Sequence, residues 1–185
     1  MITQNILSID IGIHNIGYAI YNKAEDKLDF GLYDIDSQLT KSDKKNNIVI
    51  TRVKYVSLFI DKLFELHNFN KVIVERQVNN NTMAMELMYS IVSCVYKYCK
   101  DIIIFDPKMK FKALGLTYST KNKAHKKLSI NIVSNYINKY YSSLMDKFDD
   151  NTKQDDISDA ILMLLIDMYK NDINELMKIK NVINN

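Results

Sequence analysis

The sequence is poor in residues that interrupt regular structure and poor in cysteine. One proline and four glycines occur among 185 residues, which argues against a loop-rich or low-complexity chain. The two cysteines, Cys94 and Cys99, match no metal-binding or redox spacing, so we expect free thiols in a reducing compartment. The longest apolar run, residues 160–166, is too short to span a bilayer. With no recognisable secretory signal, we expect a soluble intracellular protein without a membrane partner.

Apolar periodicity predicts an α/β protein with a mixed five-stranded sheet and helices on both faces. Strands are expected at residues 5–11, 17–21, 28–35, 71–75 and 102–105, the first three forming an antiparallel meander. Helices are expected at residues 48–69, 82–99, 121–141 and 153–169, with Thr82 as the cap of the second. Residues 171–185 are expected to be helical or frayed. No linker or repeat divides the chain, so residues 1–185 are predicted to form one domain.

Charge is distributed unevenly along the chain. Residues 107–127 contain seven lysines and no acid, whereas residues 146–175 contain nine acids. A basic stretch facing an acidic cluster is typical of a metal-dependent enzyme that acts on a polyanion. The alternative is a solvated lysine surface beside an acidic helix end.

Four carboxylates occupy positions where an isolated charge is costly. Asp10 lies near the end of the first strand, Glu75 ends the fourth, and Asp156 and Asp159 lie in the first turn of the last main helix. Buried charges need a partner, and converging carboxylates suit hard divalent cations such as Mg²⁺. Such a cluster fits two-metal hydrolysis of a phosphodiester, so a nuclease is the first hypothesis.

Each of these acids also has a purely structural interpretation. Asp10 could cap the following turn, and Glu75 could form only an ion pair with Arg76, although adjacent strand side chains point to opposite faces. Acids in a first helical turn stabilise the helix dipole. Asp155 and Asp159, four residues apart, could share a face as well as Asp156 and Asp159 do.

Three motifs together give a family resemblance: IDIGIHNIGYAI around Asp10, VIVERQ around Glu75, and KQDDISDAILM around Asp156 and Asp159. The chain resembles the RuvC-type Holliday junction resolvases, above all the viral branch typified by the poxvirus resolvases. The match covers nearly the whole chain. It implies an RNase H-like fold, a homodimer, and symmetric cutting of four-way or branched DNA. A viral member would act in the host cytoplasm where the genome is replicated.

The resemblance also implies roles for individual residues. Asp10, Glu75, Asp156 and Asp159 match the catalytic acids, which hold two Mg²⁺ ions per site, with Mn²⁺ as a substitute. Asp156 matches in preference to Asp155 because the family spacing is i, i+3. The family's active-site lysine matches Lys126 best, with the neighbouring Lys123 and Lys127 as alternatives. Backbone phosphates of DNA would be bound by the other basic residues of this region: Lys108, Lys110, Lys112, Lys121, Lys123, His125 and Lys127.

The sequence departs from the bacterial members of the family at one position. Bacterial members carry an aromatic residue three positions after the second acid, where it opens the junction; Val78 stands there in this chain.

The predicted helix at residues 82–99 is apolar nearly all round, which favours a dimer face or, alternatively, a wholly buried core helix.

Three other functions are compatible with parts of the pattern. A ribonuclease acting on RNA–DNA hybrid or structured RNA would use the same carboxylates. An actin-like or sugar-kinase ATPase shares the Asp10-Ile11-Gly12 turn, but it needs a duplicated core and a second glycine-rich motif, for which four glycines leave no room. A non-catalytic binder of DNA structures is disfavoured because all four acids are present.

Overall fold

The structure of the chain is a computed structural model that describes residues 5–43, 48–77, 81–116 and 122–181. Predictions for Val78 and Lys121 lie outside these residues, and the side chain of Lys123 is likewise not described. Five strands are present, β1 (Asn5–Ile11), β2 (Asn15–Asn22), β3 (Lys27–Asp34), β4 (Phe69–Glu75) and β5 (Ile102–Phe105). The helices are α1 (Ile48–Leu66), α2 (Thr82–Val95), α3 (Lys108–Ala113), α4 (Asn122–Tyr140), α5 (Met145–Asp149), α6 (Gln154–Tyr169) and α7 (Ile173–Asn181).

The five strands form one sheet in the order β3-β2-β1-β4-β5. β1, β2 and β3 are an antiparallel meander, as predicted, whereas β4 and β5 continue the sheet in parallel with β1. The mixed five-stranded sheet is therefore confirmed. Because β1 and β4 are parallel neighbours, their carboxyl ends lie side by side, which is where sites form in open α/β sheets.

Helices cover both faces of the sheet, each over its own apolar core. On one face, α1 and α2 pack against alternate residues of β1 such as Leu7 and Ile9. On the other face, α4 and α6 pack against residues such as Phe30 and Ile73. Since successive strand side chains point to opposite faces, the residues of β1 that alternate with Leu7 and Ile9 face α6. Asp10 belongs to this second set.

Several predicted boundaries differ from the structure. The first helix ends at Leu66 and not at residue 69, because Phe69 begins β4 and packs edge-on against Phe64. The cap of α2 is Asn81 and not Thr82, since the Asn81 side chain accepts a hydrogen bond from the backbone N–H of Ala84. That helix ends at Val95 rather than at residue 99.

Two elements near the chain's basic and C-terminal segments complete the fold. Sequence patterns did not predict α3, a helix of six residues that follows Asp106 and Pro107. In the C-terminal segment, α7 is helical and buries Leu176 and Ile179 in the core beneath α6. None of the helices in the described ranges is both long and apolar enough to cross a membrane.

Candidate active site

Three acids from separate elements meet at the carboxyl ends of β1 and β4. Asp10 comes from β1, Glu75 ends β4, and Asp159 projects from the second turn of α6. Asp10 is 7% exposed, and its charge interacts with those of both Glu75 and Asp159. The strand pairing and the packing of α6 on the sheet thus gather three carboxyl groups that lie 65 and 84 positions apart in sequence.

Among the side chains that the structure describes, one lysine lies between these acids. The Nζ atom of Lys110 is 2.7 Å from Oε1 of Glu75 and 3.1 Å from Oδ2 of Asp159. Lys110 belongs to α3 and is 3% exposed, so both ion pairs are shielded from water. Such pairs hold their partners firmly, because removing either one leaves a buried charge uncompensated.

Burial and crowding shift the pKa values of the three acids in different directions. Burial, followed by the charge of Glu75, raises the pKa of Asp10 well above its usual range. Burial also raises the pKa of Asp159, and Lys110 offsets that shift only in part. For Glu75 the effect of burial is outweighed by Lys110 together with hydrogen bonds from Asp10 and Gln77, so its pKa lies below its ordinary value. The ammonium therefore stabilises charge mainly on Glu75.

The first turn of α6 holds two further acids in different surroundings. Asp155 receives a hydrogen bond from the Nζ atom of Lys126, and this contact lowers the pKa of Asp155 despite its partial burial. Burial and the neighbouring Asp155 raise the pKa of Asp156 to about 6. Lys126 thus forms its ion pair with Asp155, which is not the acid that matches the family spacing. Asp156, which does match it, is close to Asp159 and has no ion pair with Lys126.

An open cavity of about 220 Å³ gives access to the carboxylates. Glu75, Lys110 and Asp159 form part of its wall, together with Lys126 and His125 from α4. The remaining lining residues are Arg76, Gln77, Pro107, Phe111 and Ser129. The cavity is large enough for a phosphate group, and its walls carry both charges, as a site for phosphodiester chemistry requires.

The predicted DNA-binding residues divide into three groups. Lys108, Lys112 and Lys127 are exposed, as a contact with a phosphate backbone requires. His125 is half-buried and packs against Phe111, with the two ring centroids 4.4 Å apart. Lys110, in contrast, is buried against Glu75 and Asp159, where its ammonium is occupied by carboxylates.

Two features of the site were not predicted from the sequence. The position of Lys110 among the acids depends on α3, whose residues show no periodic apolar pattern. Gln77 donates a hydrogen bond from Nε2 to Oε2 of Glu75 over 3.3 Å. The i, i+2 spacing of Glu75 and Gln77 was a usable signal, because it places both side chains on the same side of an extended chain.

The sheet order, the helices on both faces and the acids at the strand ends define an RNase H-like fold. Two solved structures share it: Thermus thermophilus RuvC in complex with a Holliday junction substrate, and the yeast mitochondrial Holliday junction resolvase Ydc2. RuvC is 12% identical with a TM-score of 0.60, over 91% of this chain and 96% of its own. Ydc2 is 15% identical with a TM-score of 0.62, over 98% of this chain and 84% of its own.

The family follows from the sequence match. A model of the family described as "Poxvirus A22 protein" matches residues 4–171. This chain belongs to that family. No curated protein matches the chain.

Proposed function

We propose that this chain is a metal-dependent endonuclease that resolves four-way and branched DNA junctions. The observation that carries the proposal is the convergence of Asp10, Glu75 and Asp159 beside an open cavity. Support comes from the poxvirus A22 family and from the shared fold of two proteins described as a Holliday junction complex and a Holliday junction resolvase. The chain is thus a viral-type junction-resolving nuclease.

The acids fit a hard divalent cation. Oδ1 of Asp159 is buried without a hydrogen-bond partner, and Glu75 and Asp159 share one ammonium. Both features leave negative charge that oxygen-binding Mg²⁺ would neutralise. Asp10, Glu75, Asp156 and Asp159 would hold the metal. When bound, Mg²⁺ supplies an activated water and stabilises charge on the phosphodiester oxygens.

The chain's own residues position the DNA and the scissile phosphate. Lys126 lies on the cavity wall with its side chain half-exposed, so its ammonium can turn from Asp155 to a phosphate oxygen. There it would offset the charge that develops in the transition state. The exposed Lys108, Lys112 and Lys127 would bind backbone phosphates without reading the base sequence.

Symmetric cutting of two strands needs two sites related by a two-fold axis, so the partner in our proposal is a second copy of the chain. Its docking surface is the outward stripe of α2, defined by Met85, Tyr89 and Val92 together with the C-cap residue Tyr96. The spacing of 4, 3 and 4 residues keeps these side chains on one face. Tyr89 and Tyr96 are 61% and 58% exposed.

The same surface is continuous with the active site. A groove beside the α2 stripe also contains Ile104 of the edge strand β5, together with Arg76 and Gln77. The last two residues line the catalytic cavity as well. A copy docked on this stripe would therefore lie close to the catalytic cavity. Light scattering should give a dimer for the wild type and a monomer for Tyr89→Glu, whereas a wild-type monomer would contradict this arrangement.

Substrate choice is tested by one panel of synthetic nucleic acids. Purified protein is incubated with a four-way DNA junction, a matching duplex and an RNA–DNA hybrid, each in Mg²⁺ and in Ca²⁺. We expect paired nicks at symmetric positions in the junction with Mg²⁺, an intact duplex, and binding without cutting in Ca²⁺. Preferential degradation of the hybrid would instead identify a ribonuclease.

A further inference from the structure

The buried Lys110 stands where a cation is needed between two of the carboxylates. Its Nζ atom contacts Glu75 at 2.7 Å and Asp159 at 3.1 Å, and its charge also acts on Asp10. All the acids that interact with it belong to the proposed metal-binding set. Lys110 is only 3% exposed, whereas a lysine that binds a DNA phosphate has to be accessible at the surface.

The Lys110 ammonium holds one oxygen of Glu75 and one oxygen of Asp159 close together. Among the residues with described positions, no group of three or more acid, histidine or cysteine side chains is already placed to hold a metal ion. A divalent cation bound by Glu75 and Asp159 would lie within a few ångströms of the Lys110 ammonium, because Lys110 contacts one oxygen of each acid. An ammonium and a divalent cation would also repel each other at that distance.

We propose that Lys110 holds the place of a metal ion and is exchanged for it. In the metal-free protein the ammonium keeps Glu75 and Asp159 together against their mutual repulsion. When a divalent cation binds, the ammonium leaves these oxygens. This inference rests on the proposed function, because it assumes that the same acids bind metal. Lys110 is thus a positioning residue that sets the affinity of the site for metal.

The geometry of α3 explains why Lys110 is buried among the acids while Lys108 and Lys112 of the same helix are exposed. Lys108 and Lys112 are four residues apart and share the exposed face, whereas Lys110 is rotated by about 200° from Lys108. Pro107 and Phe111 of the same segment line the catalytic cavity and so hold α3 at its wall. The helix thereby presents two lysines to solvent and one to the acids.

The test measures Mn²⁺ binding without DNA, by electron paramagnetic resonance of free Mn²⁺ at pH 8. Lys110→Met removes the charge but keeps much of the side chain's volume, and we expect it to bind Mn²⁺ roughly tenfold more tightly than the wild type. Lys110→Arg retains the charge and should bind no more tightly. Lys112→Met, two residues along the same helix and exposed, is the control and should match the wild type.

Stability provides a second readout. Without metal, Lys110→Met should melt roughly 5–10 °C below the wild type, because Glu75 and Asp159 are left without their cation. Mn²⁺ should then raise the melting temperature of this variant more than that of the wild type. If the variant folds only with Mn²⁺, the exchange is supported. If Mn²⁺ fails to restore folding, the lysine has a structural role that a metal cannot replace, and the exchange is wrong.

Asp159→Asn separates this inference from the proposed function. Equal Mn²⁺ binding by the wild type and Asp159→Asn would show that the acids are not the metal site, which removes the proposed function itself. Loss of binding in Asp159→Asn, combined with unchanged or weaker binding in Lys110→Met, would overturn the exchange alone. A substantial gain in Lys110→Met would support both.

Discussion

Gly17 of β2 lies directly against the backbone of Asp156 at the start of α6. A Cβ atom at position 17 would stand 2.3 Å from the carbonyl oxygen of Asp156, a distance that no carbon side chain can occupy. Gly17 is also the residue paired with Asp10 in the β1–β2 ladder. The missing side chain therefore allows the acidic end of α6 to approach the strand that carries Asp10.

We expect Gly17→Ala to displace this end of α6 and to impair cleavage. Overpacking of this kind costs about 1–3 kcal/mol of unfolding free energy, and a small shift of the acids lowers the cleavage rate much more than junction binding. Gly31→Ala is the matched control on β3, since the three atoms nearest to its Cβ atom would all belong to the side chain of Tyr18. Equal cleavage rates for Gly17→Ala and the wild type would contradict this role of the glycine.

The pKa of Asp156, about 6 in the folded protein, makes stability depend on pH. The value exceeds that of an unfolded aspartate, about 3.9, so the folded state binds the proton more tightly. The contribution of Asp156 to stability is therefore fully present below about pH 4 and is lost as the pH rises through 6.

Asp156→Asn should remove this pH-dependent loss in the metal-free protein. Relative to the wild type, the variant should gain roughly 1–2 kcal/mol between pH 4 and pH 7.5, a figure reduced for the partial exposure of the group. Urea unfolding at the two pH values without divalent cations measures the difference. Asp150→Asn serves as the control for removal of an exposed negative charge. The same stability difference between Asp156→Asn and the wild type at both pH values would rule out the raised pKa.

Lys126 is expected to act on the rate of cleavage more than on binding. Lys126→Ala should slow cutting of a junction by on the order of 10²-fold, because its ammonium no longer stabilises the transition state, while junction affinity in Ca²⁺ changes little. Lys127→Ala, the exposed neighbour, is the control. Single-turnover rates separate the two effects, and a wild-type rate for Lys126→Ala would transfer the role to another lysine.

The two exposed lysines of α3 should show the opposite behaviour. Lys108→Ala and Lys112→Ala are expected to weaken junction binding and to reduce the slope of log affinity against log salt by about 0.9 for each phosphate that the variant no longer neutralises. Their single-turnover rates at saturating protein should stay close to that of the wild type. An unchanged salt slope in both variants would place the DNA on a different surface.

Sequence patterns predicted the sheet well because its strands are continuous apolar runs closed by polar residues. The same reasoning located Asp10 and Glu75 at strand ends, and the structure shows that the two strands are neighbours. That reasoning could not locate Lys110, since α3 has only six residues and its helical form depends on packing of Phe111 into the cavity wall. In an unstructured stretch the three lysines of residues 108–112 are equivalent, and only the helix turns one of them inward.

The ion pair between Lys126 and Asp155 could not be predicted from the sequence either. Asp155 and Asp156 are adjacent, so spacing alone allowed either one to face Asp159. Which of them meets Lys126 depends on how α4 packs on α6, a tertiary contact that no local pattern encodes. The roles assigned to these residues remain predictions.

The most direct test of the central claim is the rate of junction cleavage in Mg²⁺ by Asp10→Asn, Glu75→Gln, Asp156→Asn and Asp159→Asn, with Asp155→Asn as the matched control. Each substitution removes one carboxylate charge and preserves the shape of the side chain. We expect all four variants to bind the junction in Ca²⁺ but to lose cutting, whereas Asp155→Asn still cuts. Cutting that survives in Asp156→Asn and disappears in Asp155→Asn would move that ligand to Asp155. Cutting that survives in Asp10→Asn or Asp159→Asn would contradict the assignment of this site altogether.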